Sequence, residues 1–197
     1  ADARPSIVIG RGARLGTEIG GAIQLAARDR IVVDGELDAP AGSIKLELRD
    51  AGDQVGFRNE GLWLLDGAAL IARGADRSFI DSQGLRTGEI LAGGNITLAA
   101  TRGAVVIAPE ALLDVSGTVG TLERLDNSGA RPEVRTERVA TAAGSIVLRA
   151  SETLLPYGEL RGQAGGAGAA GGTLRVTLDL SGRLGNAAFA GSLPDLF

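Results

Sequence analysis

The sequence predicts an all-β fold, a β-solenoid in which short windings of similar shape stack on one another. The main observation is an eight-residue phrase that opens with a small residue and Gly and then places apolar residues two apart. It occurs five times, at 20–27, 41–48, 93–100, 143–150 and 171–178. A single compact core does not need such copies, whereas stacked windings do, because each winding buries its apolar face on the next.

A second pattern, in which Leu stands between small residues, alternates with the first. Its central residues are Leu15, Leu37, Leu70, Leu113, Leu160 and Leu184. Apolar runs at 7–9, 31–33, 105–107 and 154–155 precede most copies. Each winding is therefore expected to hold two or three short strands joined by Gly-rich corners.

Alternation within the phrase assigns a face to each side chain. Ile23 and Leu25 are expected to point inward and Gln24 outward, and the other copies follow the same rule. A copy missing from the series is assigned to 62–64, with Leu62 and Leu64 inward and Trp63 outward. Frequent β-branched residues favour strands over helices here.

The spacing of the copies indicates about six or seven windings of 20–28 residues in one unit spanning 1–197. Surplus length falls at polar, Gly-containing corners, so insertions are expected at about 49–61, 75–92 and 118–142. Neither end shows a charged or helical cap. We therefore expect a monomeric rod that flanking windings continue, and a chain excised from a longer protein.

Composition removes several function classes. A net charge of −4 and a pI near 5.0 disfavour a nucleic-acid partner. The sequence has no Cys and no His, which excludes thiol nucleophiles, Cys/His metal sites and His-dependent catalysis. No apolar run approaches the 18 residues or so that a membrane helix needs, so we expect no membrane insertion.

A few residues suggest chemistry. Asp34, Glu36 and Asp38 alternate, and Asp114 occupies the position equivalent to Asp38. Such a carboxylate face could cleave polysaccharides, but a solvated strand face is the simpler interpretation. Trp63 is either a ligand contact or a residue covered by the 49–61 or 75–92 insertion.

Two further motifs are weak. Gly10, Gly12 and Gly16 followed by Asp34 imitate a dinucleotide-binding fingerprint, yet the intervening helix would contain Gly20 and Gly21. Segment 165–172 has the glycines of a calcium roll without its Asp residues. We therefore predict no catalytic residues, no cofactor and no metal.

The phrase at 93–100, followed by 111–117, resembles the filamentous-haemagglutinin-like exoproteins of Gram-negative bacteria. Residues 33–44, and 62–64 ahead of 67–70, resemble the same family. The resemblance implies a right-handed parallel β-helix and two-partner secretion through an outer-membrane transporter. It implies the shaft of a secreted or cell-surface adhesin involved in cell adhesion and virulence, with no catalytic residues.

The family's Asn-rich secretion-domain motif is not evident, since Asn stands only at 59, 95, 127 and 186. The chain is therefore expected to be shaft or a later module, displaying its insertions to a receptor or glycan on a host or neighbouring cell. Two alternatives stay open. One is a carbohydrate-active β-helix enzyme using the carboxylates above, and the other is a ligand-binding or cell-surface signalling module.

Overall fold

The computed structural model of the chain describes residues 6–49, 60–128 and 131–179. Within these ranges the chain forms nineteen β-strands and no helix, which confirms the all-β prediction. It follows that no helix in the described part of the chain is long and apolar enough to span a membrane.

The strands come in five successive passages, called repeats 1 to 5. Repeat 1 contains β1 (Ser6–Ile9), β2 (Arg14–Gly16) and β3 (Ala22–Ala27). Repeat 2 contains β4 (Arg30–Val33), β5 (Glu36–Asp38) and β6 (Ser43–Leu48). Repeat 3 contains β7 (Gly61–Leu64), β8 (Ala69–Ile71), β9 (Ala75–Ile80), β10 (Arg86–Leu91) and β11 (Asn95–Ala100). Repeat 4 contains β12 (Ala104–Ile107), β13 (Leu112–Asp114), β14 (Val119–Asp126), β15 (Glu133–Ala140) and β16 (Ser145–Ala150). Repeat 5 contains β17 (Thr153–Pro156), β18 (Glu159–Arg161) and β19 (Thr173–Leu178).

Each repeat gives one strand to each of three parallel sheets, which together are called the stack. Sheet A has the order β1-β4-β7-β12-β17, sheet B β2-β5-β8-β13-β18, and sheet C β3-β6-β11-β16-β19. The chain therefore visits A, B and C in the same order five times. Neighbouring strands of a sheet come from neighbouring repeats, so the backbone hydrogen bonds of each repeat run to the next.

The eight-residue phrase forms sheet C, and its copies lie in register. One inward column consists of Ile23, Ile44, Ile96, Ile146 and Leu174, and the next of Leu25, Leu46, Leu98, Leu148 and Val176. Leu46, Leu98 and Leu148 are fully buried. The alternation expected from the sequence is thus confirmed in this sheet.

Sheets A and B complete a single apolar core. In sheet B the central Leu residues of the second pattern align from Leu15 to Leu160. In sheet A the inward positions include Ile31, Leu62 and Leu64, all fully buried. Leu62 and Leu64 face inward as predicted, but assigning 62–64 as a missing copy of the phrase was wrong, because β7 pairs with β4 and β12 of sheet A rather than with the phrase strands of sheet C. Buried side chains from all three sheets form one hydrophobic cluster.

The Gly of each phrase stands at the corner before sheet C, where successive repeats approach closely. A Cβ added to Gly42 would lie 2.0 Å from the carbonyl oxygen of Gly21, and one on Gly94 1.9 Å from that of Gly42. The same carbonyls accept hydrogen bonds from the residues after each Gly, such as Asn95 N–H to Gly42 at 2.9 Å. Gly is therefore required here by backbone proximity.

Two insertions form regular antiparallel hairpins. Hairpin 1 pairs β9 with β10 and hairpin 2 pairs β14 with β15, within the insertions expected at 75–92 and 118–142. Periodicity predicts both segments only as polar, Gly-containing corners, whereas cross-strand pairing gives them regular strands. Most of the third expected insertion, 49–61, lies outside the described residues.

The last described strand, β19, has a described neighbour on one side only. Leu174, Val176 and Leu178 of β19 are 55%, 51% and 51% exposed, although they occupy inward positions. Their in-register partners on β16 are covered on both sides and are buried. The described residues supply five strands to each sheet, so six or seven windings remains a prediction. The copy around Leu184 lies outside the described residues.

Candidate functional site: two hairpins on one corner

Hairpins 1 and 2 leave the stack at equivalent corners of consecutive repeats. Each departs after a sheet B strand, β8 or β13, and returns to a sheet C strand, β11 or β16. Because β8 pairs with β13 and β11 with β16, the two hairpins arise side by side. The corner thus carries a pair of projections.

The two hairpins also contact each other directly. A Cβ on Gly120 of β14 would lie 2.2 Å from Ile90 Cδ1 of β10, so Gly120 leaves room for the Ile90 side chain. The backbone N–H of Arg86 donates to Glu123 Oε2 at 2.8 Å. These contacts make the pair one surface, here called the hairpin surface.

Hairpin 1 is stabilised at its turn and along its ladder. Asp81 Oδ1 accepts hydrogen bonds from the N–H groups of Gln83 and Leu85 at 2.8 and 3.0 Å. Arg77 and Glu89 stand opposite each other and form an ion pair. The ordered turn leaves Phe79 and neighbouring Ile80 61% and 60% exposed, which places two adjacent large apolar residues at the surface.

Hairpin 2 is longer, and seven of its sixteen strand residues are charged. Asp126 is paired with Arg135 at 2.7 Å. Hydrogen bonds from the Ser128 side chain and N–H lower the pKa of Asp126. Leu125 and Val134 face each other across the ladder and remain partly exposed. The hairpin surface therefore combines apolar patches with charges of both signs.

Thr141 joins the bases of the hairpins. Its side chain is buried, and Oγ1 accepts a hydrogen bond from Thr118 N–H at 2.9 Å. The hydroxyl also lies 3.2 Å from the carbonyl oxygen of Leu91 and 3.1 Å from that of Thr118, either of which can accept its proton. Thr141 thus connects the end of hairpin 1 with both ends of hairpin 2. Nothing in the sequence singled it out.

Asp114 and Arg73 form a second junction at this corner. Arg73 Nε donates to Asp114 Oδ2 at 2.8 Å, and Ser116 N–H donates to Oδ1 at 2.9 Å. Burial raises the pKa of Asp114, but the Ser116 hydrogen bonds and the Arg73 charge outweigh it, so the net pKa lies below the ordinary value. The carboxylate therefore serves as a buried structural anion.

The carboxylates of the predicted face are held apart, because they have separate partners and neighbours. Asp34 accepts from Arg11 and from Gly67 N–H at 3.1 and 3.0 Å, and Glu36 from Arg14 at 2.6 Å. Asp38 shares a column with Asp114 but is separated from it by Ile71.

Burial separates Asp114 from the other predicted carboxylates as well. Asp34, Glu36 and Asp38 are partly exposed, as expected, whereas Asp114 is only 2% exposed and does not belong to a solvated face. The reason is that Arg73, which follows β8 in the neighbouring repeat, and Ser116, which follows β13, both contact the Asp114 carboxylate.

Trp63 points outward and is half-buried. Its ring lies over Gly61, where an added Cβ would be 2.8 Å from Trp63 Cζ2. It belongs to an apolar outer column of sheet A, made of Val8, Val32, Trp63, Val106 and Leu155. A role in ligand contact remains a prediction.

The dinucleotide-like and calcium-roll-like motifs can both be compared with the structure. The stretch proposed as a dinucleotide helix contains strand β3, because its apolar residues alternate and pair with β6. Among the described residues, no group of three or more acidic side chains is placed to hold a metal ion.

Comparison with models of protein families, with curated proteins and with solved structures finds no match to this chain.

Proposed function

We propose that this chain is a right-handed parallel β-helix segment of a large exported filamentous-haemagglutinin-like surface protein. In this role it provides a rigid shaft and displays the hairpin surface for attachment. The observation that carries the proposal is the fivefold passage through sheets A, B and C with equivalent residues in register. Repetition of this kind adds length at constant cross-section, which suits a shaft.

The distribution of insertions supports display. Both hairpins interrupt the same corner and leave the hydrogen bonding of the three sheets intact. Loops on one face of a repeat fold are common positions for binding residues. The exposed Phe79 and Ile80 give this surface apolar contacts of the kind that a partner covers.

The family resemblance supports export in an unfolded state through an outer-membrane transporter, and a chain without Cys is compatible with that route. An antiserum raised against the purified chain should label intact cells of the encoding bacterium. Labelling should disappear when the gene for the partner transporter is deleted. Antigen found only in the cytoplasm of intact, transporter-positive cells would sink the proposal.

Attachment can be tested by removing the hairpin surface while keeping the stack. Val119 and Ala140 are paired, so an Asn-Gly turn can replace residues 120–139, and a second can replace 76–90 between Ala75 and Leu91. The trimmed chain should unfold with the same midpoint but no longer bind host or neighbouring cells. Undiminished binding by the trimmed chain would contradict display by the hairpins.

A further inference from the structure

A groove with a volume of about 400 Å³ lies at the end of sheet C, lined by residues of β6, β11, β16 and β19 and by residues that directly follow the last three. Ala99 forms its floor, and its lining also includes Ala100 and Ala150, whose side chains are buried in the core, and Asp179, which follows β19. Ala99 stands in register between Glu47 of β6 and Arg149 of β16, so one small side chain separates two long ones. The groove is thus a consequence of the outward residues on adjacent strands.

The two rims differ in charge. Glu47 is neutralised, because Lys45 and Arg49 lie 3.2 and 3.1 Å from its carboxylate. Hydrogen bonding from Lys45 is the largest cause of its lowered pKa. On the other rim, two cations, Arg149 and Arg175, stand with one carboxylate, Asp179, which has an interaction of its own. No ion pair joins Arg149 or Arg175 to a carboxylate within the described part of the chain.

Arg149 and Arg175 are placed to act together. Arg149 pairs with Thr177 on β19, and Arg175 precedes Thr177 by two residues. Diagonal neighbours of this kind are about 7–8 Å apart at Cα, within reach of a shared ligand for long side chains. Guanidinium groups donate in a planar fork that matches a carboxylate.

The hydroxyl oxygens at the end of the groove act as hydrogen-bond acceptors, whereas the Arg side chains act as donors. Thr101 Oγ1 donates to the carbonyl of Leu48 at 2.8 Å, and Ser151 Oγ to that of Ala100 at 3.3 Å. With their protons used, both oxygens can still accept hydrogen bonds. A ligand that fills the groove therefore needs an anionic group at one end and hydroxyl donors at the other.

We propose that this groove binds a sugar acid, with the carboxylate on Arg149 and Arg175 and sugar hydroxyls on Thr101 and Ser151. The volume falls within the range of about 300–1,000 Å³ that is usual for small-molecule sites. None of the described residues that line the groove is aromatic, so polar contacts rather than stacking select the ligand. The site does not depend on export or on the hairpin surface.

The test uses the full 197-residue chain labelled with ¹⁵N and titrated with sodium galacturonate. Galactose serves as the neutral control, and sodium sulfate as the anion without hydroxyls. Amide shifts at 99–101 and 149–151 that saturate with galacturonate, and with neither control, are the expected result. No saturable shift at these amides, or equal affinity for sulfate or galactose, overturns the proposal.

Variants connect binding to the groove. Arg149→Gln with Arg175→Gln should weaken galacturonate binding by about tenfold or more, because charge-assisted hydrogen bonds are lost. Ala99→Leu should weaken it by filling the floor while keeping both charges. Arg138→Gln, an exposed Arg on hairpin 2, is the matched control and should leave affinity unchanged. Thermal unfolding confirms that each variant is folded, and unchanged affinity in the double variant rejects the site.

Discussion

The stack and the hairpin surface are both made of short alternating strands, yet they bury very different amounts of their side chains. In the stack, an inward residue such as Leu98 has a neighbour on each side in its sheet and is fully buried. In hairpin 2, β15 has a single hydrogen-bonded neighbour, and six of its eight residues are exposed. Burial here follows from the number of neighbouring strands rather than from the alternation itself.

Strand β19 is intermediate between these two cases and shows why their burial differs. Its sequence carries the stack phrase, but with a described neighbour on one side only, its inward residues stay half-exposed. Stability should therefore concentrate in repeats 2 to 4 of the stack, and the hairpins should tolerate substitution. Substitutions in the stack and in the hairpins should therefore differ in their cost to stability, and the sites that follow are ordered by decreasing expected effect.

Truncation in a stack column should have the largest effect. Leu98→Ala is expected to lower the free energy of unfolding by about 3–5 kcal/mol, since a buried Leu is lost and a cavity remains. Val134→Ala on hairpin 2, where the side chain is 53% exposed, should cost about 0.5 kcal/mol or less. Urea denaturation measures both, and similar losses would refute the division.

The glycine column should be nearly as sensitive. Gly94→Ala places a Cβ 1.9 Å from the Gly42 carbonyl oxygen, so the backbones must separate, at a cost of about 2–3 kcal/mol. Gly84→Ala in the turn of hairpin 1 is the control. Gly84 has a φ of +80° but open space around it, so backbone strain alone should cost about 1–2 kcal/mol. A Gly94 variant no less stable than the Gly84 variant would contradict the close approach.

The Arg73–Asp114 junction should make stability depend on acid. Because folding lowers the pKa of Asp114, its contribution is present above the unfolded pKa, near 3.9, and is lost as pH falls through the folded value. Asp114→Asn should therefore cost about 1–2 kcal/mol at pH 7. The difference from the parent chain should shrink below about pH 4.

Arg73→Gln and the double variant complete a thermodynamic cycle for this pair. Non-additive losses at pH 7 that become additive at low pH are the expected pattern. A constant Asp114→Asn penalty from pH 7 to pH 3 would show that the carboxylate charge is not what stabilises the junction.

Thr141→Val should have the smallest and most local effect. It removes the hydroxyl that accepts from Thr118 N–H, at an expected cost of about 1 kcal/mol. Amide exchange at Thr118 should accelerate, while exchange in sheet C stays unchanged. Thr136→Val, on the exposed part of β15, is the matched control and should alter neither.

Much of the fold could be predicted because its signal is local and repeated. Alternation located the strands of sheet C and the inward Leu62 and Leu64 of sheet A, and the second pattern located the strands of sheet B. The hairpins were predicted only as insertions, since strand pairing within 75–91 and 119–140 depends on cross-strand partners that periodicity does not reveal. The exposed position expected for Asp114 was wrong because Arg73, distant in sequence, folds onto it.

By itself, the sequence determined which residues face inward and where Gly is required, because both follow from a pattern that each repeat restates. Tertiary structure alone decided which of these positions are covered, how the hairpins meet, and that Arg149 and Arg175 share a groove. The physical reason is that these properties arise between strands of different repeats. They depend on which residues lie opposite one another across a distance of about 5 Å, which no single strand encodes.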